Sequence, residues 1–240
     1  MIRALSLAAL GWLAAEGAQA ACGPVTHLDR AFTLCTAELD THRIDLRLAG
    51  EDGTPLGSFV ELERQTEAPI AFAMNGGMYH PDRRPVGLHV EDGTQVAGIV
   101  TSAGPGNFGM LPNGVFCVMG DTARVIESRA FAAAGPDCVD ATQSGPMLVI
   151  DGALHPRFIP DSEFLNLRNG VGATPDGRTV HFVISDEPVS FHEMATLFRD
   201  RLGVRDALYL DGSVSRLYAP GLDRADPGRQ MGPILVVTER

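Results

Sequence analysis

The 240-residue sequence contains no lysine: all 19 of its basic residues are arginine, against 30 acidic ones, for a formal net charge of −11. Any anion bound here must meet arginine or backbone N–H groups, and the acidic balance argues against nucleic acid or an anionic membrane surface as a partner. Close cysteine pairs of the C-x-x-C kind are missing, which removes the usual zinc framework. The seven histidines lack H-x-H or H-E-x-x-H spacing, and no G-x-x-x-x-G-K run appears, so neither a dedicated metal site nor a nucleotide phosphate loop is indicated. Ser144 lies in Gln-Ser-Gly-Pro rather than in a G-x-S-x-G elbow, so a Ser-His-Asp triad has no support. There is no Ser/Pro linker, charge block or repeat to mark a domain boundary. Past the N-terminus, no stretch is long and apolar enough to span a bilayer.

That N-terminus is informative. Met1-Ile2-Arg3 is a short positive start, 4–15 is largely apolar, and Ala18-Gln19-Ala20 offers small residues where a signal peptidase reads. Residues 1–20 therefore read as a secretory signal peptide, with an amphipathic helix as the alternative. Gln19 stands where a lipid-attachment site wants an aliphatic residue, so soluble export to the periplasm is expected despite Cys22. The mature chain, about 220 residues, is long enough for one sizeable core, and 21–240 is expected to be a single domain. Four cysteines in an oxidising compartment imply two disulfides. Three pairings are possible; Cys22–Cys35 with Cys117–Cys138 closes the shortest loops, each bridge contributing roughly 3 kcal/mol.

Most of the rest reads as short strands. Residues 43–48 alternate, with Ile44, Leu46 and Leu48 on one face, and 69–74 is a buried apolar run. Asp92-Gly93, Gly120-Asp121, Asp151-Gly152 and Asp176-Gly177 are hairpin turns beside apolar segments. Further strands are expected over 207–210, 216–218 and 234–237. Residues 190–202 carry apolar side chains at helical spacing, with Ser190 and Glu193 as a capping box and Gly203 as the stop. Ser58 and Glu61 open a second helix towards Glu67 by the same device, and 127–134 suits a third, ended by Gly135. The pattern is α+β: a mixed, largely antiparallel β-sheet core with a few flanking helices.

Glycine and polar residues gather just past the apolar strands, in five places. These are Asn75-Gly76-Gly77 with Tyr79, the run 104–109 containing Asn107, Gln143-Ser144-Gly145, Arg168-Asn169-Gly170 with Ser185-Asp186, and Asp211-Gly212 with Ser215. Singly each suits an ordinary turn; together they suit a pocket rim, because glycine lets backbone approach a ligand and amides bind hydroxyls. Asp211 and Asp186 each follow a buried apolar run and are the candidate acid/base or nucleophile carboxylates. Glycosidic cleavage needs a carboxylate beside its oxocarbenium-like transition state. A phosphate leaving group departs with little protonation and needs charge stabilisation. Arg168, helped by the N–H groups of 75–77, is the candidate phosphate partner. Asn75, Asn107, Gln143 and Asn169 would orient a sugar. A type I′ turn is the alternative role for Asp211 and a helix-entry acid that for Asp186.

On these segments (71–93, 104–116, 141–158, 168–203 and 207–220) the chain resembles the bacterial phosphodiester glycosidase family, which includes the catalytic part of the lysosomal uncovering enzyme. The resemblance spans nearly the whole mature chain. It implies an exported hydrolase that releases a sugar from a glycosyl-1-phosphodiester in envelope or extracellular glycans. The substrate-binding set would be Asn75, Gly76, Gly77, Tyr79, Asn107, Gln143, Ser144, Gly145, Asn169, Gly170, Ser185, Gly212 and Ser215. Where the family usually has Asp-Gly-Gly-Gly-Ser, this chain has Asp211-Gly212-Ser213-Val214-Ser215, so two of three glycines are replaced. The sequence calls for no cofactor and no metal, although a divalent ion on Asp186 or Asp211 is compatible with it. A non-catalytic periplasmic glycan-binding protein is the alternative function.

Overall fold

A computed structural model describes residues 21–240; the expected signal peptide over 1–20 lies outside the described residues. In chain order, β1 (Ala21–His27), β2 (Arg30–Glu38) and β3 (His42–Arg47) precede a short helix, α1 (Phe59–Arg64). Then come β4 (Ile70–Asn75), β5 (His89–Glu91), β6 (Thr94–Ala97), β7 (Gly114–Val118), β8 (Ala123–Glu127) and α2 (Ser128–Ala134). β9 (Asp140–Ser144), β10 (Met147–Ile150), β11 (Ala153–Leu154), β12 (Asn169–Ala173) and β13 (Thr179–Ser185) lead to α3 (Phe191–Thr196). The chain closes with β14 (Ala207–Tyr209), β15 (Leu217–Ala219), β16 (Arg224–Ala225) and β17 (Ile234–Glu239).

These strands form three sheets, in the orders β1-β2-β13-β12-β14-β10-β11, β16-β15-β4-β17-β3 and β6-β5-β9-β7-β8. The ladders between them are antiparallel. The fold is thus α+β, with few helices. Period-two alternation gives each sheet two apolar faces. Phe182 and Ile184 of β13, Phe72 and Met74 of β4, and Phe116 and Val118 of β7 all enter one shared core. The intervening residues face outward, where each sheet is backed by one helix. Val183 packs with α3, Ala73 with Phe59 and Leu62 of α1, and Val115 with Phe131 of α2.

The helices start and stop for local reasons. Ser190 and Glu193 form the expected reciprocal capping box. The helix turns into a wider π-helical segment at Leu197–Arg201 before Gly203, at φ 66°. At α1 the Ser58 side chain accepts from the Glu61 N–H, but the Glu61 carboxylate goes to Gln65 and Arg64, leaving the box half-formed and the helix shorter than expected. Both disulfides pair as expected: Cys22 and Cys35 lie opposite each other on β1 and β2, and Cys117–Cys138 ties β7 to the segment entering β9.

Several strands depart from expectation, β9 most plainly. β9 is polar in sequence (Asp-Ala-Thr-Gln-Ser) and reads as a loop, yet it is buried between β5 and β7. Its side chains serve as hydrogen-bond hubs. Oδ1 of Asp140 accepts from the N–H groups of Leu46 and Asp92, at 3.1 and 3.3 Å. Burial outweighs these bonds and pushes the carboxyl up to about 6. The fold therefore prefers the neutral acid, so the favourable contribution is complete below the ordinary value of 3.8 and is lost as pH rises through about 6. Asp140→Asn keeps the acceptor oxygen and removes the charge. It is expected to raise Tm by about 5 °C at pH 8, from roughly 2 kcal/mol, and by much less at pH 4. Equal shifts in thermal melts at the two pH values would overturn this account.

Candidate functional site

Two buried amides organise the candidate site. Asn75, the last residue of β4, and Asn169, the first of β12, face each other across the sheets. The Asn169 amide donates to Oδ1 of Asn75 at 3.0 Å, and the Asn75 amide donates to the Asp211 carbonyl at 3.3 Å. Oδ1 of Asn75 also accepts from the Arg216 N–H, and Oδ1 of Asn169 accepts from the Asp211 N–H and the Ser215 hydroxyl. Ser215 reaches the Asp211 carbonyl as well, and the Ser144 hydroxyl donates to the Leu210 carbonyl at 2.5 Å. Four residues selected by sequence, Asn75, Asn169, Asp211 and Ser215, are thereby one network. Its amides shape the loop after β14 instead of pointing freely at a ligand.

Asp211 sits at that loop's start, 8 % exposed. It is not in a type I′ turn: its φ is −140° and it caps the 3-10 turn Gly212–Val214, accepting from the Ser213 N–H at 2.9 Å. Among the described residues no cation pairs with it. Burial raises its carboxyl above the ordinary range, against the opposing Ser213 bond. Its charge also acts on two phenols: burial chiefly, and Asp211 in addition, raise both Tyr79 and Tyr209. A side chain at Gly212 would strike the Tyr209 hydroxyl, so this glycine is required by close approach.

Arg168 lies just beyond Tyr209. Its guanidinium stacks 3.6 Å over the Phe191 ring, and Phe191 packs edge-on against Tyr209 at 4.8 Å. Its Nε and Nη2 donate to the carbonyls of Val189 and Phe164, at 2.8 and 3.1 Å. Arg168 is only 2 % exposed and burial lowers its pKa. Two of its donor groups are committed to carbonyls, and the guanidinium also interacts with the Tyr209 hydroxyl. It lines a cavity of about 320 Å³ together with Asn107, Arg157, Phe158, Phe164 and His192.

Asp186 belongs to a different cluster. The Arg224 Nη1 donates to its Oδ1 at 2.7 Å, and the Thr33 hydroxyl lies 3.0 Å from both oxygens. Arg224 is on β16 and Thr33 on β2, so Asp186 clasps the first sheet to the second. With both oxygens engaged, it is not placed as a second free acid/base.

Other selected residues are spent inside the fold. The Gly76 N–H donates to the Pro233 carbonyl and the Gly77 N–H to the Thr142 hydroxyl, so neither is free for phosphate. Gln143 accepts from the N–H groups of Leu88 and Val100 and donates to the Val100 carbonyl and Ser128, which uses its whole amide. Ser185 accepts from the Arg168 N–H. Gly145 and Gly170 are packed against Asn113 and the Leu208 carbonyl, and the Tyr79 hydroxyl donates to the Gln230 carbonyl. The run 104–109 has the literal G-x-G-x-x-G spacing but lies outside any strand or helix, so it lacks the strand–turn–helix setting of a dinucleotide site. Tyr209, Phe191 and Arg224 are additions from the structure; their sequence neighbours look like ordinary core and turn. No group of three or more His, Cys, Asp or Glu among the described residues is arranged to hold a metal ion. A larger cleft of about 1110 Å³ opens beside Arg43, Asp140 and Glu239, and none of the selected residues lines it.

Comparison with known proteins bears on the family and the fold. A family profile described as phosphodiester glycosidase matches residues 68–238. An uncharacterized protein of Escherichia coli, YigE, is 34% identical over 188 residues, covering 78% of this chain and 73% of its own. Among solved structures, the catalytic domain of zebrafish N-acetylglucosamine-1-phosphodiester alpha-N-acetylglucosaminidase, auto-inhibited by its pro-peptide, has a TM-score of 0.63. It is 15% identical, with 95% of this chain and 86% of that chain covered. A putative exported protein of Burkholderia pseudomallei has a TM-score of 0.57 at 12% identity, covering 87% and 74%. At such identities these structures share the fold.

Proposed function

The chain belongs to the phosphodiester glycosidase family, and from that membership we propose an exported hydrolase that cleaves the sugar from a glycosyl-1-phosphodiester of envelope or extracellular glycans. The observation that carries the reading is Asp211, a buried carboxyl with one hydrogen bond and, among the described residues, no cation partner. Such a group holds its proton more tightly than a solvated carboxylate, which suits it to take a proton from an attacking water. Water adds to the anomeric carbon, the carbon–oxygen bond to phosphate breaks, and a phosphomonoester leaves. The leaving group needs charge stabilisation more than a proton, and Arg168, which lines the neighbouring cavity, is the candidate for it. Asn75 and Asn169 act at one remove, by fixing the Asp211 loop. Asp186 holds the sheets together through Arg224.

The test is a panel of sugar-1-phosphodiesters incubated with mature protein recovered from the periplasm. Release of free sugar is expected. Saturable binding without release would replace this reading with a glycan-binding module, and recovery of the protein only from the cytoplasm would end the export half of it.

A further inference from the structure

The cleft of about 1110 Å³ beside Arg43, Asp140 and Glu239 takes no part in the chemistry above. β3, an edge strand of the second sheet, forms one wall, and the ends of β5, β7 and β9 from the third sheet form another. Its charges do not balance. Arg43 is paired with Asp45 and Arg47 with Glu91, while Arg240 gives its donors to the carbonyls of His42 and Gly120. Glu51, Glu67, Asp92, Asp140 and Glu239 line the same cleft and have no cation partner among the described residues. Four of these acids are exposed, where water alone serves them. Asp140 differs, being 3 % exposed. Its Oδ1 takes the N–H groups of Leu46 and Asp92, and its Oδ2 accepts from no group among the described residues. A buried carboxyl that lines a cleft with one oxygen unserved calls for a ligand that donates to it.

We propose that this cleft binds an aliphatic polyamine, with one ammonium group on Oδ2 of Asp140 and the others among the surrounding acids. The ligand has to be cationic because the unpaired charges are all carboxylates. No group of three or more His, Cys, Asp or Glu among the described residues is arranged for a metal ion, which leaves an organic cation. The five acids come from five separate stretches of chain, so they border the space instead of meeting at one point. That spacing suits several ammonium groups along an alkyl chain, and the exposed Val139 offers apolar surface to its methylenes. The site owes nothing to the hydrolase reading and is tested apart from it.

Spermidine is the probe, titrated calorimetrically into the mature protein at constant ionic strength, and one saturable site is expected. Its amines stay protonated at pH 5 and pH 7, so a change of affinity between them reports the protein. Burial pushes the Asp140 carboxyl up to about 6, and the bound cation needs the carboxylate. Affinity is therefore full above that value and falls about tenfold between pH 7 and pH 5. The charged groups around Asp140 are Arg43 and Asp45 of β3 and Glu91 and Asp92 at the end of β5, with His89 behind Glu91. Asp140→Asn separates their titration from its own. This variant should bind spermidine about tenfold more weakly at pH 7 and lose the pH dependence, while Asp176→Asn, away from the cleft, binds as the parent does. Affinity unchanged in Asp140→Asn, or a pH dependence that survives there, would overturn the proposal. So would displacement of spermidine by magnesium chloride as effective as that by unlabelled polyamine, which would reduce the binding to general attraction by an acidic chain.

Discussion

Asp211→Asn is expected to lower kcat by about 10²-fold or more, the scale of lost general acid–base catalysis, while Tm stays within a few degrees. The substitution is chosen for what it preserves. An asparagine oxygen can accept the Ser213 N–H as Asp211 does now, so the 3-10 turn keeps its cap. The backbone carbonyl and N–H of residue 211 keep their bonds to Asn75 and Asn169. Only the titratable group is lost. If Asp211 activates water in its ionised form, the acidic limb of the unsubstituted protein's pH–rate profile should lie above the ordinary carboxylate range, because burial raises this carboxyl. The matched control is Asp176→Asn, at an exposed turn where the carboxylate accepts from Thr174 and the Arg178 N–H. Equal small effects at 211 and 176 would remove Asp211 from the chemistry.

Asn169→Ala should do damage of another kind. It leaves the Asp211 N–H without its partner and takes one bond each from the Asn75 amide and the Ser215 hydroxyl, which keep others, in a region where Asn169 is fully buried. One unsatisfied buried N–H costs about 1–3 kcal/mol and each lost hydrogen bond about 0.5–1.5 kcal/mol, not additively, so a total of about 3 kcal/mol is expected. Tm should fall by about 8 °C. Activity measured well below that melt should fall too, because the loop carrying Asp211 loses its anchor. A variant that melts early but retains full activity at low temperature would show that Asn169 supports the fold without positioning the carboxylate.

The hairpins were legible in the sequence because their turn chemistry is local. Asp92-Gly93 and Asp151-Gly152 have positive φ at both residues, as a type I′ turn demands. Asp211-Gly212 has the same dipeptide and a different outcome, because tertiary contacts with Tyr209 and the Asn pair decide its backbone. β9 and β12 were hidden for a related reason. Their polar or glycine-rich runs resemble loops when read alone. In the fold, Gly170 and Gly172 let β12 lie close to Leu208, Phe198 and Val204, and the polar side chains of β9 are satisfied by backbone groups far away in sequence. The convergence of Asn75, Asn169, Asp211 and Ser215 was legible as a set of strand-end clusters. That the two amides brace the loop, and that Asp186 is committed to Arg224, depends on which strands become neighbours, and no local pattern encodes that.

The position of β17 has a consequence for how the molecule is assembled. β17 lies inside the second sheet, between β4 and the edge strand β3. A chain delivered N-terminus first leaves β3 and β4 with a vacant slot between them until the β17 residues arrive. Closure then joins segments at almost the greatest separation the sequence permits, the slow kind of contact to form. Removing the β17 residues would therefore detach β3 from β4 and the rest of that sheet.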